Sequence, residues 1–596
     1  MYVLKNNFKM LKIAHAVDKF RLPVTLLMVI FDTVNYVVTK LLFLPIIVFF
    51  IFTDSFDWFN FIVVIIVVII VGGISKSASS YFDNVYIPQS NAKISQHAKK
   101  IIYDRAALLK LKYYDTSEHY DELQFIISDS SGRVISVLNN FYAFFSLITL
   151  IIFATSVMIY INPIIIIFIV ISAVLEILAN SLIKKVNFQF TNDRVSQDKK
   201  FNYAIRVFYL PDYAKEIRMF GVSGLIFTLF NNAFTEILNI QKKYALKEVV
   251  IRIVVNVLTI VSMLSAPLLY LAYIFISQEA IQPAQVVLVT ETVVHLTMQV
   301  QFLFGVGITL LDNNQYIQRY FSFMDRELEE DSAVCGFDSI RLPDSPKEIA
   351  ISDLSFSYPS HKRIIFNGLD MLIPPQKKIG IVGRNGSGKS TILKLLLRLY
   401  DPNKGAISLD NRDISVYGID DYRKKIGVLF QDFQLYDISV AENVLMEEYT
   451  DENEYIVKNA LQLSQLSNTI KSYTITVGRE LTDDGLMLSG GEKQKLALSR
   501  IFTTDRHYIF LDEPSSSLDI TSEKQMYEAV WEFATQKSMI IISHELSVTK
   551  NCDHIYYIAD NVVKEQGTHD ELMRLKGAYF EMYTLQAHRF VGGAYD

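Results

Sequence analysis

With 596 residues, the chain is too long for one hydrophobic core, so we expect at least two domains. Hydrophobic residues make up 51% and the mean hydropathy is +0.25, which suits one membrane half joined to one soluble half. The net charge is −6, and the chain has no excess of Lys and Arg such as nucleic-acid-binding proteins have. We therefore expect no nucleic-acid partner. Cys335 and Cys552 have no partners at metal-ligand spacing, so the sequence indicates neither a zinc site nor a disulfide framework.

Apolar segments long enough to cross a bilayer occur only before about residue 312. The first 21 residues are polar and have no small-residue cleavage site, so we predict no signal peptide. The sequence predicts an all-α transmembrane domain over residues 1–324 with six spans, at about 22–52, 57–78, 134–160, 163–184, 250–276 and 284–311.

The basic residues predict the orientation of these spans. The three short connections, 53–57, 162–163 and 277–283, contain no Lys or Arg. Lys and Arg instead cluster on the opposite side, in segments 5–21, 93–105 and 184–200. The positive-inside rule therefore predicts a multi-pass protein of the cytoplasmic membrane, with both termini and the long connections in the cytoplasm.

The long connections lack helix breakers. No Gly or Pro lies between Ile164 and Leu210 or between Leu225 and Ala266, which predicts helices roughly 60–70 Å long. These helices would continue well beyond the hydrocarbon layer into the cytoplasm. Two short helices are predicted in the long connections, at Asp212–Phe220 and near Ser117–Leu123. The alternative is that both segments are ordinary surface turns.

A polar linker at 325–345 precedes a change of pattern. From residue 346 to 596, short β-type runs alternate with helical runs, which predicts an α/β nucleotide-binding domain.

A phosphate-binding loop follows the predicted strand Ile379–Val382 directly. The pattern G-x-x-x-x-G-K-S between a strand and a helix is that of a P-loop, whose backbone N–H groups surround phosphates. Lys389 would add a positive charge at the β- and γ-phosphates, and the Ser390 hydroxyl would ligate Mg²⁺. The predicted ATP-binding residues of this loop are Gly383, Asn385, Gly386, Ser387, Gly388, Lys389, Ser390 and Thr391.

A second apolar strand, Tyr508–Leu511, ends in two carboxylates. We predict that Asp512 holds Mg²⁺ through water and that Glu513 orients or polarises the attacking water.

The segment Leu488-Ser-Gly-Gly-Glu492 resembles the signature of ABC ATPases. With the P-loop and the Asp-Glu strand, it gives a resemblance to the ABC transporter superfamily. The resemblance implies a head-to-tail dimer in which ATP lies between the P-loop of one domain and the signature of the other. The signature residues it assigns to ATP are Ser489, Gly490, Gly491 and Glu492. Glu492 departs from the commoner Gln, and Ser517 from the commoner Ala.

The same resemblance assigns roles to four further residues. Tyr358 resembles the aromatic residue that stacks on adenine, and Gln431 the glutamine that meets Mg²⁺ and couples the ATPase to the membrane half. Asp519, in a segment that resembles the D-loop, 516–519, is predicted to bind ATP, and His544 resembles the switch histidine near the γ-phosphate. The predicted catalytic residues are thus Glu513, His544 and Gln431. Glu513, His544 and Ser489 are all present, so the chain lacks the losses that mark the inactive half of asymmetric family members.

Polar residues form a stripe on the sixth span. Glu291 and His295 are four residues apart, and Gln299 follows one turn later. One interpretation is a polar cavity that contacts substrate; the other is that these groups only join helices of the bundle.

The membrane-first order with a C-terminal ATPase is similar to exporter-type ABC half-transporters. In that family the two short cytoplasmic helices are coupling helices that press into the ATPase domains. The resemblance implies ATP-driven export of a peptide or an amphipathic small molecule by alternating access. A lipid or lipid-linked glycan flippase and an importer with the exporter fold are the alternatives. One ATPase domain per chain calls for a dimer, either of two copies of this chain or with a different subunit.

Overall fold

The computed structural model describes residues 2–52, 57–115, 117–161, 163–277, 283–326, 328, 342–359, 363–504 and 506–591. It forms two compact units, residues 1–104 with 123–325 and residues 105–122 with 326–596. Residues 53–56, Asn162 and 278–282 of the predicted short connections, and 329–341 of the predicted linker, lie outside the described residues.

The described part of the first unit is built of helices. Its long apolar runs form α-helices because, in a bilayer, a helix satisfies every backbone polar group internally. The helices up to residue 324 are α1 (Tyr2–Val17), α2 (Arg21–Tyr36), α3 (Phe43–Ile51), α4 (Trp58–Tyr81), α5 (Ile87–Ala107), α6 (Ser117–Ile161), α7 (Ile165–Tyr209), α8 (Pro211–Phe220), α9 (Ser223–Ile260), α10 (Ala266–Ser277) and α11 (Pro283–Met324).

Five helical segments of the described residues are long and apolar enough to cross a membrane. They are Arg21–Ile51, Trp58–Ala107, Gly132–Ile159, Ile166–Tyr209 and Ala284–Met324. The remaining predicted span, 250–276, is also helical, but it is divided among α9, a π-helical turn and α10. Similar π-helical turns, which the sequence did not predict, join α2 to α3 and α4 to α5.

The connections between spans confirm one short helix and correct the other. Helix α7 has 45 residues, and the separate helix α8 ends at Gly221, whose φ of +62° suits glycine. The predicted short helix near Ser117–Leu123 is wrong. A helix does begin at Ser117, but it continues without a break to Ile161 because no proline follows and helices tolerate a single glycine such as Gly132.

The second unit is an α/β fold with two sheets. Its strands are β1 (Ile349–Ser357), β2 (Ile364–Ile373), β3 (Lys378–Gly383), β4 (Lys404–Leu409), β5 (Arg412–Asp413), β6 (Ile426–Leu429), β7 (Tyr508–Asp512), β8 (Ser538–Ile542), β9 (His554–Ala559) and β10 (Val562–Gly567). Its helices are α12 (Lys389–Leu396), α13 (Ile419–Lys424), α14 (Val440–Leu445), α15 (Glu454–Leu463), α16 (Gly490–Ser499), α17 (Ile520–Phe533), α18 (Leu546–Thr549), α19 (His569–Leu575) and α20 (Ala578–Val591).

The larger sheet positions the candidate site. Its described strands run in the order β10-β9-β3-β8-β7-β6, and they are parallel except for β10. All residues of β7 and β8 are buried, as expected for strands covered on both faces. The carboxyl ends of β3, β7 and β8, where ligands bind in such sheets, therefore lie side by side. The other sheet is antiparallel, in the order β2-β1-β4-β5.

Residues 105–122 belong to the second unit. The buried Tyr400 hydroxyl donates to Asp115, whose two carboxylate oxygens lie 2.9 and 2.8 Å away. Lys110 forms an ion pair with Asp401 at 3.0 Å, and Leu111 packs against the hydrophobic core of this unit. This segment of the first long connection thus docks on the α/β fold through polar and apolar contacts.

Candidate nucleotide site

The P-loop connects β3 to α12. Gly388, the residue before α12, has φ +96°, and a Cβ atom there would lie 2.7 Å from the side chains of Ile365 and Phe366. Only glycine fits this position without strain. Lys389 begins the helix and is buried, and its ammonium donates to the carbonyl oxygens of Gly383 at 3.1 Å and Arg384 at 3.2 Å. Burial lowers the pKa of Lys389, while Glu513 and Asp512 oppose that shift.

Asp512 ends β7 with its side chain almost fully buried at 4% exposure. Burial raises the pKa of this carboxyl, and a hydrogen bond with Ser390 opposes the rise. Among the residues that the structure describes, its Oδ1 atom has no hydrogen-bond partner. A buried carboxylate oxygen without a donor is costly unless a cation meets it, and a carboxylate beside a serine hydroxyl suits Mg²⁺. These residues fit the predicted metal ion.

Glu513 lies between two other predicted site residues. Gln431 Nε2 donates to Glu513 Oε2 at 2.6 Å, and His544 Nε2 contacts Glu513 Oε1. Glu513 has φ +48°, a left-handed conformation that is strained for a side chain of this type, and its N–H bonds to the Ile542 carbonyl of β8. Burial is the main cause that lowers the pKa of His544. The structure thus brings the three predicted catalytic residues together.

Tyr358 follows β1 and lies close to the start of α12. Its hydroxyl is 3.0 Å from the Thr391 hydroxyl, and its ring packs edge-on against Tyr400 and Phe356. This places the predicted adenine-stacking ring beside the P-loop helix.

The signature begins helix α16. The Ser489 hydroxyl caps the helix: it accepts from the Glu492 N–H and donates to the Glu492 carboxylate at 2.8 Å. Hydrogen bonds from Ser489 lower the pKa of Glu492. Glu492 therefore completes a capping box, a role that the commoner Gln can also fill. Gly491 faces the D-loop, where an added Cβ atom would lie 3.1 Å from the Ser517 carbonyl oxygen.

Two side chains near the D-loop have structural roles that the sequence did not predict. Asp519, predicted to bind ATP, caps α17 by accepting from the N–H groups of Thr521 and Ser522. Gln494 is buried in α16 and accepts from the Ser517 N–H at 3.1 Å, while its amide lies 3.5 Å from the Glu513 carbonyl. A lone glutamine in a helix gives no sequence signal, so Gln494 could not be predicted.

The polar stripe on α11 is partly buried. His295 Nε2 lies 3.5 Å from Glu291 Oε2, and the Tyr36 ring packs edge-on against His295 at 5.3 Å. Gln299 follows one turn later and is half-buried. The structure therefore brings Glu291 and His295 together and adds Tyr36 to them.

A separate cavity of about 240 Å³ opens between helices of the first unit. Its polar lining residues are Arg252, Asn256 and Gln301, and none of Glu291, His295 and Gln299 lines it. Arg252 is paired with Glu248 on the same helix at 2.7 Å. These residues were not predicted from the sequence because they are single polar residues on helices and form no motif.

Comparison with known proteins gives the same assignment for the second unit. Residues 366–516 match the family described as ABC transporter. Over 246 residues, 41% of this chain, the sequence is 38% identical to "ABC transporter B family member 3" of Dictyostelium discoideum. It is 24% identical over 521 residues to the "ATP-dependent lipid A-core flippase" of Pectobacterium atrosepticum, covering 86% of each chain.

Other matches are shorter, and one structural match is nearly complete. The aligned segment spans only 17% of the Dictyostelium protein and 63% of the lipid A-core flippase of Sodalis glossinidius, less than two thirds of either. The solved structure of a bacterial Atm1-family ABC exporter with ATP bound superposes with a TM-score of 0.79 at 20% identity. That match covers 96% of this chain and 99% of the other, so the two proteins share a fold.

Proposed function

We propose that this chain, whose residues 366–516 match the ABC transporter family and whose fold is that of a solved ABC exporter, uses ATP hydrolysis to move an amphipathic substrate out of the cytoplasm or the inner leaflet. The observation that carries the proposal is the arrangement around Glu513, whose carboxylate contacts Gln431 and His544. Glu513 follows Asp512 directly, and both carboxylates act on the charge of the P-loop Lys389.

The P-loop residues would hold the phosphates of ATP. On ATP binding, the Lys389 ammonium would exchange the carbonyl oxygens of Gly383 and Arg384 for phosphate oxygens. Tyr358 would stack on the adenine ring. Its position beside Thr391 supports this role, because adenine and phosphates would then lie along one edge of α12.

Mg²⁺, when bound, neutralises charge on the phosphates. Ser390, Asp512 and Gln431 would hold it. Gln431 donates to Glu513 through Nε2, which leaves its amide oxygen as the atom that can face a cation. Gln431 would therefore join the metal site to the carboxylate that acts on water.

Glu513 would orient the attacking water and accept its proton, and His544 would contact the γ-phosphate. Burial lowers the pKa of His544, which favours the neutral imidazole, and a neutral ring can still donate one hydrogen bond.

The signature of a second copy of the chain would complete each ATP site. Ser489 and the two glycines at the start of α16 form an anion-binding helix end. A homodimer in the cytoplasmic membrane, with ATPase domains in the cytoplasm, is the simplest assembly; a heterodimer is the alternative.

For the substrate, we propose an amphipathic molecule, either a peptide or a small molecule, and a lipid is the second candidate. The names of relatives that align over 86% of the chain, lipid A-core flippases, favour the lipid. Two polar regions of the first unit support a polar binding surface, the pair Glu291–His295 and the cavity with Arg252.

Transport in proteoliposomes tests the proposal. Liposomes with the protein's ATPase domain outward would receive ATP, together with a fluorescent phospholipid, a labelled hydrophobic peptide or a cationic dye. We expect ATP-dependent redistribution of at least one probe away from the ATPase side, absent in Glu513→Gln. Movement toward the ATPase side would instead establish an importer, and no redistribution with active hydrolysis would contradict transport of this substrate class.

A further inference from the structure

Helix α20 packs firmly on the α/β fold of the second unit. Its first two N–H groups, of Ala578 and Tyr579, donate to the Glu565 carboxylate at 2.6 and 3.0 Å. Tyr579 is fully buried among Val382, Tyr557 and Leu572. The helix is therefore fixed at its N-terminal end by a charged cap and by a hydrophobic cluster.

The same helix contacts the segment that carries the switch histidine. Gln586 Nε2 donates to the backbone carbonyl of His544 at 2.5 Å. Tyr579 also shares a side-chain hydrogen bond with Thr549, the last residue of α18, which follows His544. Two positions of α20, seven residues apart, thus hold both ends of the segment 544–549.

We propose that Gln586 is a positioning residue for ATP hydrolysis, which fixes the backbone of His544 so that its imidazole reaches the Glu513 side of the site. This inference rests on the proposed ATPase function. His544 lies in a short segment after β8, and its imidazole contacts Glu513. The Gln586 bond supplies a second fixed point, on the backbone of the same residue.

Loss of the Gln586 donor would destabilise the segment that carries His544. Without Gln586, the carbonyl of the half-buried residue His544 would have to find water or a new donor, and the segment would sample other backbone conformations. ATP binding depends on the P-loop and should be unaffected. A catalytic step that needs one orientation of the imidazole should slow, because misplacement of a catalytic group by about 1 Å is costly.

Steady-state ATP hydrolysis in lipid nanodiscs tests the proposal. Gln586→Met has a similar size and helix propensity but no donor, and we expect roughly a three- to tenfold lower kcat with an unchanged KM for ATP. Gln586→Arg restores an N–H donor and should recover most of the loss. Leu585→Ala, at a neighbouring exposed position, is the matched control and should hydrolyse ATP at the native rate.

Two outcomes would overturn the proposal: a native kcat in Gln586→Met, or an equal loss in Leu585→Ala. A second measurement does not depend on activity. Hydrogen exchange of the amides in 545–549 should be faster in Gln586→Met than in the native protein without nucleotide, and equal rates would contradict the proposal. If the native protein binds but does not hydrolyse ATP, the proposed function fails, whereas the exchange result still decides the role of Gln586.

Discussion

The two units of the molecule differ in how their candidate functional residues are arranged along the sequence. In the α/β unit, the residues that act on ATP lie in contiguous motifs at the ends of adjacent strands, and the structure joins Gln431, Glu513 and His544. In the helical unit, polar side chains are single residues spread along helices, such as Glu291 and Arg252. ATP chemistry demands fixed geometry around phosphates, whereas an amphipathic substrate can be bound by many arrangements. Short sequence motifs therefore indicate the ligand of the second unit but not that of the first.

The largest expected effect is at the P-loop. Lys389→Ala removes the buried ammonium that would meet the phosphates, so ATP affinity should fall roughly 100-fold, or about 2.7 kcal/mol. Binding of a fluorescent ATP analogue measures this change. The exposed cation of α17, replaced in Lys524→Ala, is the control and should keep native affinity. Equal affinity of Lys389→Ala and native protein would show that the loop does not bind phosphate.

A smaller loss is expected at a residue that the motifs do not include. Gln494→Leu leaves the Ser517 N–H without its buried acceptor, which should loosen the D-loop and lower kcat roughly tenfold. The same substitution at an exposed helix position, Gln462→Leu, should leave kcat unchanged. If both variants keep the native kcat, the link between α16 and the D-loop has no part in hydrolysis.

A weaker effect is expected from substitutions at the contact between residues 105–122 and the α/β fold. Tyr400→Phe keeps the aromatic packing against Tyr358 but removes the hydroxyl that donates to the Asp115 carboxylate, at a cost of about 1 kcal/mol. Faster hydrogen exchange at 109–115 would report the loss. Asp115→Asn combined with Tyr400→Phe should add little to either single change, and Tyr455→Phe, at an exposed tyrosine, is the control. Fully additive effects would show that the two side chains do not interact.

The smallest effect on basal hydrolysis is expected in the helical unit. Glu291→Ala should keep basal ATPase activity within about twofold, because Glu291 lies outside the nucleotide site, and should change stimulation by substrate. ATPase assays with and without the probe that moves in proteoliposomes measure both rates. Equal losses in both would favour the interpretation that Glu291 and His295 only stabilise the helix bundle.

Some features of both units could be predicted from the sequence, and others could not. The long helix α7 was predictable because its 45 residues contain no breaker, and the strands before Gly383 and Asp512 because they are short apolar runs before motifs. The short helix near Ser117 was wrong because an N-cap signal predicts where a helix begins but not where it ends. Gln494 and Gln586 were missed because their roles depend on tertiary contacts with the D-loop and His544.

ATP hydrolysis by this chain alone, purified in lipid nanodiscs, tests the central claim most directly. We predict steady turnover by the native protein and at least about a 100-fold lower rate in Glu513→Gln, with ATP binding retained because the P-loop is intact. A native rate in Glu513→Gln would contradict the assignment of that carboxylate. A folded native sample that binds ATP without any turnover would contradict a functional homodimer.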